Sequence, residues 1–113
     1  MESILTSIKK LLGITEDYTY FDQDIVMHIN SVFMILTQLG VGPSEGFSIE
    51  DETSVWEDFI SDPTKFQLVK SYMYLKVKLL FDSASLTSAV ITAYNEQIRE
   101  YEWRLNVAAE YNE

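Results

Sequence analysis

The residues of this chain that could do chemistry are few and scattered. There is no cysteine, and His28 is the single histidine. A zinc or iron centre draws its ligands from convergent imidazole, thiolate and carboxylate groups. His28, on the edge of an apolar helical stripe, has no second imidazole or thiolate to join it and reads as a partly buried structural residue. Carboxylates gather as Glu50-Asp51-Glu52, as Glu57-Asp58, and as Glu96 with Glu100. None of these alternates oxygen ligands around a glycine turn, as a calcium loop does. Glu96 and Glu100 repel across one helical turn, whereas Glu100 and Arg104 have the i,i+4 spacing of a favourable ion pair. The phosphate-cradling GxxxxGK[ST] and GxGxxG motifs and the nucleophile elbow GxSxG do not occur. No nucleophile stands beside a base. The expectation is a protein without catalytic, cofactor or metal site.

What stands out instead is surface chemistry suited to binding. Lys76 projects near the middle of an apolar helical arc. Either its stem lies on the core and its ammonium snorkels to water, or the arc faces another subunit whose carboxylate pairs with it. Trp103 lies on the polar side of its helix, where it packs on a neighbouring helix or anchors an interface. Met27 and Met34 lie one heptad apart on the far side of a helix, a line that hints at a contact surface.

The elements that must position these residues are helices. With 113 residues, 47% apolar and 13% aromatic, the chain supports one domain with one modest core. The organising stretch is 64–82, TKFQLVKSYMYLKVKLLFD, which follows Pro63 and contains neither glycine nor proline. Wound as a helix, it places Leu68, Val69, Tyr72, Met73, Leu75, Val77, Leu79 and Leu80 on an arc roughly half the circumference wide, with Phe66 at its edge. Such an arc predicts a central helix packed on several elements, with apolar surface left for a further partner.

Around it, residues 2–12 read as a short helix closed by Gly13. Residues 22–39 form a second, with Asp22 as N-cap and the stripe Ile25, Ile29, Val32, Phe33, Leu36 and Leu39, ended by Gly40. Residues 40–52 are the long irregular loop, rich in glycine and acidic at its end. Few of its residues look able to anchor it, so it is expected to be mobile in the free monomer. A short helix over 55–61 is capped by Thr53 or Ser54, with Glu57 in capping-box spacing to Ser54. A final helix, capped by Ser85 or Ser88, runs to about residue 109 with the stripe Val90, Tyr94, Ile98, Tyr101, Leu105 and Ala108; Arg99, Trp103 and Val107 lie roughly opposite. The expected fold is all-α, a single-domain bundle of four to five helices over residues 1–113.

Eighteen acids against eight bases leave a net charge of −10. Such a surface repels DNA phosphate and anionic lipid, so an ordinary DNA reader is not expected. No apolar run approaches the roughly 20 residues of a membrane span. The start, MESILTSIKKLLG, with an acid at position 2 and its lysines after the apolar residues, does not have the form of a signal peptide.

Three segments carry a resemblance: Ser54-Val55-Trp56-Glu57-Asp58-Phe59, the run from Leu68 to Asp82, and Glu100-Tyr101-Glu102-Trp103-Arg104-Leu105-Asn106. Together they resemble the small head–tail connector proteins of long-tailed phages and prophages, also known as head-completion or DNA-packaging proteins. The start Lys9-Lys10-Leu11-Leu12-Gly13-Ile14 is similar to theirs as well. One departure is Ser83-Ala84, where relatives often have a proline pair after the Phe-Asp that ends the central helix.

The resemblance implies a structural virion protein at the portal vertex, made in the host cytoplasm. It implies a homo-oligomeric ring, twelvefold on the portal, that extends the DNA channel and docks a stopper or tail-completion protein. DNA would pass through without specific binding, and neither membrane nor cofactor would be needed. On this reading Lys76, Trp103, Val107, Met27 and Met34 belong to the subunit interface, and Glu45, Glu50, Asp51 and Glu52 face the channel or a partner. The alternative, from another class, is a small acidic regulatory or inhibitor protein, a nucleic-acid mimic that binds a basic partner.

Overall fold

The structure, a computed structural model, describes residues 2–111. The first helix, α1 (Ile4–Leu11), starts where the Ser3 hydroxyl accepts the Thr6 N–H at 3.2 Å. It ends in a Schellman turn: Gly13, with φ +82°, lets its own N–H reach the Lys10 carbonyl and the Ile14 N–H reach that of Lys9. Helix α2 (Asp22–Gln38) ends the same way at Gly40, where the Val41 N–H bonds back to the Leu36 carbonyl and both side chains are buried. Asp22 is not the cap of α2. That position belongs to Phe21, and the Asp22 carboxylate turns instead toward Lys9.

Helix α3 (Trp56–Phe59) is shorter than the sequence suggests, and its capping residues are shifted by one. The Asp58 carboxylate accepts the Val55 N–H at 3.1 Å, so Ser54 and Glu57 do not form the box. The Ser54 carbonyl is already engaged: it accepts the Ile4 N–H, while the Trp56 N–H donates to the Glu2 carbonyl. This single antiparallel bridge between Ser3 and Val55 ties α3 to the start of α1. The buried Trp56 indole then donates to the Ser7 hydroxyl at 2.8 Å.

Helix α4 (Pro63–Asp82) begins at Asp62, whose carboxylate accepts the Thr64 N–H, with Pro63 in the first turn. It packs against α1, α2 and the last helix, α5 (Ser88–Tyr111), and is the central element expected from its wide apolar arc. Val69, Tyr72, Met73, Leu75 and Val77 are buried. The bundle covers this arc more completely than the sequence implied, leaving Leu80 as its most exposed large residue, at 51%. Between α4 and α5 runs one 3₁₀ turn, Ser83–Ser85. The cap of α5 is Thr87 rather than Ser85 or Ser88: its hydroxyl accepts the Val90 N–H at 3.2 Å.

One apolar core unites all five helices, and the described residues contain no strand. Its aromatic centre is Phe33, which packs on Phe47, Trp56 and Phe59. His28 is half-buried with its ring beside Phe81.

Candidate functional site

Helix α2 buries one stripe against the bundle and turns the opposite face outward. On that outer face Met27 and Met34 are 58% and 64% exposed. The end of the 40–52 loop comes back to lie beside them. Met27, Met34, Val26, Gln23, Asn30 and Ser31 form one wall and floor of an open groove of about 630 Å³, and Ile49, Glu50, Asp51 and Glu52 form the other. No lysine or arginine lines it.

Asn30 holds the two walls in register. Its side-chain oxygen accepts the Ile49 N–H at 2.8 Å and its amide donates to the Ile49 carbonyl at 3.0 Å. Val41 and Ile49 are buried, and Phe47 packs on Phe33 and Phe59. The expectation that few loop residues anchor it is therefore corrected: three apolar side chains and a bidentate amide do so. Asn30→Ala should lower stability by about 2 kcal/mol, because both backbone groups of a buried residue lose their partner. A urea midpoint measures this, and amide exchange at 49–52 should accelerate in the same variant.

Within the acidic rim, one carboxylate is engaged by its own loop. Asp51 accepts the backbone N–H and the hydroxyl of Thr53. The Thr53 hydroxyl, and after it the Thr53 amide, hold the Asp51 carboxyl below its usual pKa. Glu50, Asp51 and Glu52 are exposed, and none enters an ion pair among the described residues. Glu45 is exposed outside the groove, beside the Ser44 hydroxyl.

The structure thus brings together Met27, Met34, Glu50, Asp51 and Glu52. It places Lys76, Trp103 and Val107 elsewhere. Trp103 is 67% exposed on the outer face of α5, while Val107, one turn on, is half-buried. Lys76 is half-buried on α4, one turn before Leu80, and has no ion-pair partner among the described residues. On the inner side of α5, the Tyr72 hydroxyl donates to Glu102 at 2.7 Å; burial first, then this carboxylate, pushes the phenol far above its ordinary pKa. That pair locks α4 to α5.

Two contributors went unread in the sequence. Asn30 was legible in principle, three residues after Met27 and four before Met34 on the same helical face. Lys9 was not. It is 2% exposed, with its ammonium 2.8 Å from Asp22 and donating to the Glu16 carbonyl.

Fold and surface together define a small all-α protein with an open groove on one face. Its core is sealed, and no group of three or more possible metal ligands converges among the described residues. Nor is any described helix long and apolar enough to cross a membrane. A scan against protein-family models matched residues 4–112 to the family described as phage connector protein. Neither the curated proteins nor the solved structures returned a match. The chain belongs to the phage connector proteins, a structural family of the virion that works at the head–tail connection with portal or tail components.

Proposed function

We propose that the chain forms a ring beneath the portal at the capsid vertex, twelvefold when seated there. The ring extends the DNA channel, and its free side docks the next stopper or tail-completion protein. It works without catalysis, cofactor or membrane. The observation that carries this reading is the anchor left on α5: a tryptophan two-thirds exposed on a helix whose other face is already packed. A ring uses two different surfaces of each copy, head to tail. The Trp103–Val107 face of α5 is one, and the Lys76–Leu80 strip of α4 is the other, with Lys76 paired to a neighbour's carboxylate. The net charge of −10 suits a channel through which DNA slides without sticking.

Mass measurement of the protein with its portal tests the ring. Trp103→Ala and Lys76→Glu should each leave helicity and melting of the monomer nearly unchanged, because neither residue is fully buried. Assembly should fail, since a defect of about 1 kcal/mol, roughly fivefold in each contact, is repeated around the ring. Unfolding of the monomer by either substitution would make that residue part of the core. Normal assembly of both variants would place the subunit contact elsewhere.

A second reading is favoured by the unpaired Glu50-Asp51-Glu52 rim: a small acidic inhibitor that mimics nucleic acid and binds a basic target. Such a protein stays monomeric at raised concentration and on portal, so the same mass measurement separates the two.

A further inference from the structure

Sequence spacing suggested two separate surfaces, a methionine line and an acidic loop. The structure merges them into one groove with an apolar floor, an acidic wall and no cation of its own. We infer that this groove is a docking site for a basic amphipathic segment of a different protein, its apolar side chains on Met27 and Met34 and its lysines or arginines against Glu50, Asp51 and Glu52. The inference rests on the reading of the chain as a protein that docks others, and it names the chemistry of one partner.

Three observations select this occupant. Methionine side chains are flexible and polarizable, and they adapt to varied apolar partners. Met27 and Met34 are one heptad apart, about 10 Å along the helix, which matches two apolar positions two turns apart on a helix laid alongside. The rim carboxylates lack counter-ions among the described residues, so an arriving cation displaces no existing pair. A second copy of this chain does not fit. Its cations outside ion pairs among the described residues, Lys10, Lys65, Lys76 and Arg99, stand singly along the sequence, and each copy carries a charge of −10. On this inference Met27 and Met34, expected from the sequence at the subunit interface, meet a basic neighbour instead.

The probe is a synthetic helical peptide of leucine and lysine, about 18 residues long, with its leucines on one face. Its twin has glutamate for lysine. The lysine peptide should bind the full chain at physiological salt, with amide shifts concentrated at 22–34 and 49–52, and the glutamate twin should not. Met27→Ser with Met34→Ser should weaken binding about tenfold, by loss of apolar contact, without changing the melt. Glu50→Gln with Glu52→Gln should weaken it severalfold and flatten its salt dependence. Four results overturn the inference: no binding, shifts spread over the whole acidic surface, equal binding of the twin, or affinity indifferent to the methionines. Assembly with portal is measured separately by mass. Ring formation with a failed groove sinks only the groove, and a working groove on a chain that never assembles sinks only the ring.

Discussion

Asp22→Leu is expected to destabilise the protein by about 4 kcal/mol, more than any surface substitution in the chain. The Lys9 side chain is 3% exposed, and among the described residues its ammonium meets only the Asp22 carboxylate at 2.8 Å and the Glu16 carbonyl at 3.0 Å. Removing the carboxylate leaves a cation sealed from water with one neutral acceptor. Breaking such a pair from one side typically costs about 3–5 kcal/mol. Lys9→Met strands Asp22 instead, one of whose oxygens is inaccessible to solvent. Its loss should be somewhat smaller, about 3 kcal/mol, because the Asp22 side chain is 24% exposed and can recruit water. The double variant Lys9→Met/Asp22→Leu removes both charges and puts apolar atoms in their place. It should lie within about 1 kcal/mol of the parent, since a buried pair is often replaceable as a unit. Urea unfolding of the four proteins closes the cycle. If the two single losses simply add in the double variant, the pair is not coupled, and Lys9 matters only for its aliphatic stem.

Gly42→Ala should cost about 3 kcal/mol, against about 1 kcal/mol for Gly46→Ala, although the two glycines share one loop. Both have left-handed backbones, with φ of +84° and +94°, so both pay the same conformational penalty on gaining a Cβ. They differ in what the new carbon meets. At Gly46 nothing lies within 4 Å. At Gly42 the Cβ would fall 2.3 Å from Cε1 and 2.6 Å from Cζ of Phe59, a ring held between Phe33 and Phe47. A buried aromatic ring has no free end to swing aside, so the loop must lift or α3 must shift. Lifting the loop moves Ile49 and the acidic wall attached to it. Gly42→Ala should therefore also weaken binding of the lysine–leucine peptide, while Gly46→Ala should not. Equal melting losses for the two variants would mean that Phe59 yields freely and the packing argument is wrong.

Most of the fold was legible because helices are local. The stripes Ile25–Ile29–Val32–Phe33–Leu36 and Val69–Tyr72–Met73 repeat at the 3.6-residue period, and each is buried as its spacing required. Gly13 and Gly40 marked helix ends because only a left-handed residue closes a Schellman turn without strain. The family was legible as well, from three segments whose resemblance the match over residues 4–112 bears out. The exposure of Met27, Met34 and Trp103 also followed from their angle to the stripe of their own helix.

Caps were less legible. Whether Asp22 capped α2 or paired with Lys9 was a competition between a local bond and a distant one, and burial of the lysine decided it. Ser54 lost its capping role because its carbonyl was claimed by α1, some fifty positions earlier in the chain. The sequence by itself determined the helices, their apolar faces, the acidic character and the absence of any cysteine chemistry. Only the tertiary structure decided that the glycine-rich loop is anchored, and that its carboxylates share a groove with the methionines of α2. That meeting depends on Asn30 finding the Ile49 backbone across nineteen residues. Periodicity reports which way a side chain points from its own helix, and never which other segment arrives there.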